Sequence, residues 1–287
     1  MQQTYSIKID NKKEDIILNY LLDNRWLSVV DNNQYVKYKY VKDKTTIIIY
    51  TSSKVVVQGS GNEYDSILNL LDNNSSTLGA YIPHIGADEV GKGDYFGPLI
   101  VCACYIPKDN YEKIINIGVN DSKKITDRNI VKIYESIKDD VVYSIQILTP
   151  FEYNKEYLED NNIAILLSKL HAKNIINLVN RIGVDKYNNI VIDQFSSRKD
   201  RLEKVLKGYI FDQYHKAESK DIVVATASVI ARYYFIDYMN KLNEEYNMVF
   251  PYGSSHVIAF AKEFIDRFSL KELDKVAKTS FSITSQL

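Results

Sequence analysis

The sequence predicts a mixed α/β protein in two parts, a small α+β domain followed by a larger α/β domain. Three observations carry this. Residues 1–72 read as β-α-β-β-β-α and end in a polar run, Asp72-Asn73-Asn74-Ser75-Ser76. Beyond residue 82, strand-like apolar runs alternate with helical patterns. Leu99 to Tyr105 is a continuous apolar run, as a strand buried on both faces requires. The 287 residues are enough for one large domain or for two.

In the first part, residues 4–9 read as a strand and 12–23 as a helix with Ile16, Ile17, Tyr20 and Leu21 on one stripe. Three strands follow at 34–41, 45–50 and 54–58, with Asp43-Lys44 and Ser52-Ser53 as turns. A helix at 63–71 closes a domain over 1–72, and 73–81 is a linker. On the strand at 34–41, alternation points Tyr35, Lys37 and Lys39 one way and Val36, Tyr38 and Tyr40 the other. Such a basic face with aromatic neighbours suits a nucleic-acid backbone, and it equally suits a solvated sheet face.

In the second part, 82–287, strands are expected at 83–88, 97–106, 140–148, 189–193 and 209–214. Helices are expected at 109–117, 127–138, 151–158, 162–182, 199–206, 222–246, 256–268 and 271–277. Gly183 stops the long helix that carries Ile163, Leu166, Leu167, Leu170, Ile175 and Leu178.

The net charge of −1 gives no bulk signal for a polyanion, so nucleic-acid binding must come from local patches. The start of the chain is polar and alternating, unlike a signal peptide, and no stretch is expected to approach a membrane span in length and apolarity. Cys102 and Cys104 are the only two cysteines and face the same side of a strand, as reduced core residues of a cytoplasmic protein would.

The chemistry centres on residues 82–101. Asp88 and Glu89 are adjacent, then Gly91, Lys92, Gly93 and Gly97 follow. Gly86 to Lys92 fits the first seven positions of a phosphate-binding loop, but Gly93 stands where Ser or Thr must bind magnesium. Two carboxylates inside such a loop would also repel the phosphate. A divalent metal site suits them better, since hard cations take carboxylate and phosphate oxygens together. Taken alone, the stretch also fits a surface hairpin turn. Further acids elsewhere bear on this. Asp193 ends the apolar run Ile190-Val191-Ile192, where α/β sheets bind ligands, and Glu218 precedes the small-residue helix from Ile222 to Arg232. Helix capping is the competing role for both.

Several motifs then coincide. Asp88-Glu89-Val90-Gly91-Lys92-Gly93-Asp94-Tyr95-Phe96-Gly97-Pro98 resembles the signature of bacterial ribonuclease HIII. Asp121-Ser122-Lys123-Lys124 is similar to the Asp-Ser-Lys motif shared with ribonuclease HII. Asp193-Gln194-Phe195, Lys216-Ala217-Glu218-Ser219 and Ala227-Ser228-Val229-Ile230-Ala231-Arg232 follow in the family's order. The first 72 residues are similar in size and pattern to the family's TATA-binding-protein-like domain. Ribonuclease HII generally lacks that domain and has Arg where Lys92 stands.

The resemblance implies a ribonuclease H-like fold, a mixed five-stranded sheet flanked by helices. It implies hydrolysis of the RNA strand of RNA–DNA hybrids with two divalent ions, Mg2+ or Mn2+, leaving 3′-hydroxyl and 5′-phosphate ends. Asp88, Glu89, Asp193 and Glu218 would be the catalytic and metal-binding acids; Glu at the last place is the HIII pattern, where HII has Asp. The Gly91-Lys92-Gly93 backbone would read the ribose 2′-OH. Ser122, Lys123 and Arg232 would lie near phosphates. A monomer without an obligate protein partner is expected. Rival readings are another metal-dependent nuclease on the same fold acting on DNA, a phosphate-loop nucleotide enzyme, and a non-catalytic nucleic-acid-binding protein. Of the four histidines, His171 on the long helix is expected to be an ordinary hydrogen-bonded or solvated side chain. Asp94 reads as a turn residue, and Pro251 to His256 has no assigned place.

Overall fold

A computed structural model describes residues 3–72, 81–119, 125–198 and 200–287. The chain divides into two compact units, Met1–Tyr81 and Ile82–Leu287.

The first unit is an antiparallel five-stranded sheet with helices on one face. Its strands are β1 (Gln3–Lys8), β2 (Leu27–Ser28), β3 (Val36–Lys42), β4 (Thr45–Tyr50) and β5 (Lys54–Gly59), in the order β1-β5-β4-β3-β2. Asp10 starts helix α1 (Asn11–Asp23) by accepting from the amide of Lys13. Ile17 and Leu21 of α1 and Tyr64, Ile67 and Leu71 of α2 (Asn62–Asp72) cover alternate sheet residues Ile47, Ile49, Val55 and Val57. The two-residue strand β2 was not expected; it is too short to leave a periodic signal. A bulge between Val36 and Tyr38 breaks the alternation read along β3. The lysines of that strand are also already engaged. Lys37 pairs with Glu14, Lys39 with Asp31 and Lys42 with Glu63. The basic face read from the sequence is therefore a set of ion pairs.

The second unit holds a mixed five-stranded sheet of order β10-β9-β6-β7-β8. Its strands are β6 (Ile85–Val90), β7 (Leu99–Tyr105), β8 (Val142–Leu148), β9 (Ile190–Asp193) and β10 (Phe211–Tyr214). β6 pairs antiparallel with β7 and parallel with β9. Helices α3 (Tyr111–Ile117), α4 (Asp127–Ile137) and α5 (Pro150–Asp160) lie in the first half of this unit. α5 opens with a capping box between Thr149 and Glu152. α6 (Ile163–Ile182) lays Ala172, Ile175 and Leu178 against Ile85, Ala87, Ala103 and Ile192 on one sheet face. After α7 (Asp200–Val205), α8 (Ile222–Tyr246) crosses the other face; α9 (Ile258–Phe268) and α10 (Leu270–Val276) finish the unit.

One expectation needs correction. Among the described residues, α8 is long and apolar enough to cross a membrane, and 67% of its most apolar window is buried within the protein. Its hydropathy comes from packing on the sheet, since a helix enclosed on most sides is apolar around most of its surface.

The C-terminal segment pins the stretch that follows the glycine-rich turn. The amide of Gly97 donates to Val276 O and that of Lys278 to Tyr95 O, and Phe96 bridges Ala277. Lys278 is fully buried, with its ammonium directed at the carbonyls of Gly97 and Pro98. Burial pushes its pKa down to about 7, against the attraction of Asp94. An uncharged amine still donates to both carbonyls. The unfolded chain holds this proton up to its ordinary lysine value, so between about pH 7 and 10.5 it binds more protons than the folded protein. Stability should therefore climb with pH across that window. Melting temperatures at pH 6.5 and 8.5 should rise more for wild type than for Lys278→Met; parallel slopes would rule out this effect.

Candidate active site

The period-two geometry of β6 sets the acid pair. Ile85, Ala87 and Glu89 face α6, whereas Gly86 and Asp88 face α8. At Gly86 an added Cβ would stand 2.4 Å from the backbone nitrogen of Val224, so only glycine lets α8 lie this close. Ala225, Ala227 and Ser228 keep the helix face small. The Ser228 hydroxyl then donates to the Asp88 carboxylate, and the Glu89 amide donates to Asp88 Oδ1 at 2.8 Å. On the opposite face, Glu89 Oε2 is 3.2 Å from His171 Nε2 of α6, and Lys92 Nζ is 3.8 Å from Glu89 Oε1.

Strand β9 brings the third acid. Its parallel register pairs Ala87 with Ile192, and one further step sets Asp193 level with Asp88. Asp193 Oδ1 accepts from the Ala217 amide at 2.8 Å. Ala217 opens a 3-10 turn, Ala217–Ser219, in which Glu218 is buried with 4% exposure. The cap of α8 is neither of these acids but Asp221, which accepts from the amides of Val223 and Val224. The other Asp221 oxygen lies 2.8 Å from His84 Nε2, which ties the start of α8 to the start of β6.

Asp88 is 4% exposed. Burial first, then the charges of Glu89 and Asp193, push its carboxyl well above the usual carboxylate range, against the hydrogen bonds from Ser228 and the Glu89 amide. Such a group calls for a positive partner. The donors offered are carboxylate oxygens only, the set that hard divalent cations prefer. Among the described residues no three acids, histidines or cysteines are spaced as a preformed metal shell. The fit therefore rests on donor type and on the raised carboxyl of Asp88.

The glycine-rich turn divides into a structural half and an open half. Gly91 has φ +93°, and a Cβ there would lie 2.1 Å from Pro98 O. A Cβ on Gly93 would meet no atom within 4 Å. The Lys92 side chain crosses to Phe195 O at 2.7 Å. Asp94 does more than form a turn: its Oδ1 accepts from the Gly253 amide at 2.6 Å, while Gly253 O accepts from the Tyr95 amide. The unassigned stretch 251–256 is thereby fastened to the turn. Arg232 lies 3.0 Å from Asp127, and its guanidinium is 5.3 Å from the ring of Tyr252 and 5.7 Å from that of Phe235. Ser122 and Lys123 lie outside the described residues. Sequence reasoning missed the contacts of His171 and Phe195 with the acid site, and periodicity carries no sign of either.

The chain is similar to known proteins over most of its length. The family profile described as Ribonuclease HII matches residues 85–284, and a domain of unknown function, DUF3378, matches residues 4–66. Ribonuclease HIII of Staphylococcus epidermidis is 33% identical over 254 residues, covering 83% of this chain and 82% of that one. Ribonuclease HIII of Ureaplasma parvum is 32% identical and covers 98% of each chain. The crystal structure of Bst-RNase HIII in complex with Mn2+ superposes with a TM-score of 0.70 at 27% identity, covering 99% of this chain and 97% of that one.

The position of Asp88 yields a stability prediction. At low pH both folded and unfolded chains hold its proton, and no penalty exists. As pH rises past the usual carboxylate value, the unfolded chain ionises first and the folded protein loses stability until its own raised pKa is passed. With a chelator present, Asp88→Asn should melt ~3 °C or more above wild type at pH 7, with the gap closing toward pH 4. A variant that melts below wild type at pH 7 would contradict this.

Proposed function

We infer the function from one premise: the chain belongs to the ribonuclease HII family. It is an endoribonuclease of the ribonuclease H type, a metal-dependent hydrolase acting on the RNA strand of RNA–DNA hybrids. Its cofactor is a divalent cation, Mg2+ or Mn2+. The observation that carries the site is the raised carboxyl of Asp88, beside Glu89 and level with Asp193 at the ends of two parallel strands.

In our reading Asp88, Glu89, Asp193 and Glu218 hold the cations. When bound, these supply Lewis acidity to the scissile phosphate and lower the pKa of attacking water. The residues of the chain do the positioning. Ser228 and the Glu89 amide orient Asp88, and Ala217 orients Asp193. Gly93 leaves room for a ribose to approach the backbone, where a 2′-OH distinguishes RNA from DNA. Lys92 serves the turn through Phe195 and Glu89 more than through the substrate. Arg232 and, beyond the described residues, Ser122 and Lys123 are assigned to phosphates. The first unit, Met1–Tyr81, is assigned to gripping the hybrid. We read the protein as a cytoplasmic monomer that needs no protein partner.

One gel assay tests the reading, with a full hybrid, a duplex carrying a single ribonucleotide, and plain DNA, each with Mg2+ or Mn2+. The hybrid should be cut to 3′-hydroxyl and 5′-phosphate ends and the DNA left whole; cutting of DNA would favour the rival nuclease. Asp193→Asn should lower kcat by about 10^3-fold or more with the fold intact, and near-normal turnover would remove Asp193 from the site. Gly93→Ala should keep its melting temperature but raise KM for the hybrid, whereas Gly91→Ala should lose stability. Removal of residues 1–81 should weaken hybrid affinity by ~10-fold or more with kcat little changed, as expected when a tethered second contact is lost. Equal affinity would leave that unit without this role.

A further inference from the structure

Helix α6 carries His171 in the middle of its buried stripe, between Leu170 and Ala172. The side chain is wholly enclosed. Its ring lies flat against Phe195, with centroids 5.0 Å apart and planes 2° apart. Nε2 is 3.2 Å from Glu89 Oε2, and Nδ1 has no hydrogen-bond partner. As packing alone this is a poor choice, because leucine would fill the same space without enclosing an unsatisfied nitrogen.

The carboxylate explains it. A carboxylate oxygen accepts, so Nε2 carries a hydrogen and donates it. Phe195 sets the ring plane from one side, and its carbonyl accepts from Lys92 Nζ at 2.7 Å. Lys92 in turn lies 3.8 Å from Glu89 Oε1. Glu89 is thus held at one oxygen by a hydrogen bond and steered at the other by a charge, and both holders meet at Phe195. Ser228 plays the matching part for Asp88 from the opposite sheet face.

We propose that His171 is a positioning residue for hybrid cleavage: its Nε2–H fixes the rotation of the Glu89 carboxylate, so that Oε1 is the oxygen turned to the cation. This rests on the reading of Glu89 as one of the site's acids. His171 touches neither substrate nor scissile phosphate, and its proton stays on the ring throughout. Phe195 is the support that keeps the donor in line.

The test uses full-length His171→Leu and His171→Gln. Leucine keeps the bulk and loses the donor; the terminal amide of glutamine returns a donor near the place of Nε2. Four quantities are measured: melting temperature with a chelator, Mn2+ affinity by calorimetry without nucleic acid, and kcat and KM on a hybrid. His171→Leu should keep its melting temperature and KM, lose ~10–100-fold in kcat, and bind Mn2+ ~10-fold more weakly. His171→Gln should recover most of both losses. If His171→Leu stays within twofold of wild type in kcat and Mn2+ affinity, the proposal is overturned. It is also overturned if both variants lose activity alike and in step with melting temperature, since that marks a purely structural residue. A wild-type protein that cuts no hybrid would sink the functional reading instead, and the Mn2+ titrations would still decide the role of His171.

Discussion

The second unit depends on how closely α8 lies on β6. Gly86 has no side chain, and the helix answers with Ala225, Ala227 and Ser228. A helix normally stands off a sheet by the thickness of two side-chain layers. Here one layer is missing, and Ser228 comes within reach of a strand carboxylate. The same approach sets the first turn of α8, capped by Asp221, directly after the turn that carries Glu218. One absent methyl group therefore links backbone geometry to the placement of two acids distant in sequence.

The adjacent acids Asp88 and Glu89 look redundant in the sequence and are not redundant in space. Successive residues on a strand point to opposite faces. Each carboxylate consequently has its own keeper, α8 for Asp88 and α6 for Glu89. Repulsion between them is the cost of that arrangement, and it falls on Asp88, the more enclosed of the two. Such a pair holds electrostatic tension that a nearby positive charge would relieve.

The buried strands were legible where they are apolar runs between turn residues; Leu99–Tyr105 appears in the fold as the strand β7. The long helices α6 and α8 were legible through spacing and through Gly183 and the small-residue run. Long-range hydrogen bonds were not. Asp94 meets Gly253 across 159 residues, and nothing in either local sequence announces the other. The Arg232–Asp127 pair and the His171–Glu89 contact are hidden for the same reason. Alternation failed on β3 because a bulge adds one residue to the count, which no period-two reading anticipates. The four acids were named by motif; which sheet face Asp88 and Glu89 each join became visible only with the strand.

The paired lysines of the first unit have a consequence for the hybrid-gripping role proposed for it. Affinity for a phosphate backbone is driven largely by counterions released when free cations replace them, and that release makes binding fade as ionic strength rises. Lys37, Lys39 and Lys42 already have carboxylate partners within their own unit. Exchanging an internal anion for a phosphate releases fewer ions than meeting the phosphate with a solvated lysine. The grip proposed for this unit should then tolerate salt better than its lysine content suggests, with shape and uncharged contact carrying more of the affinity.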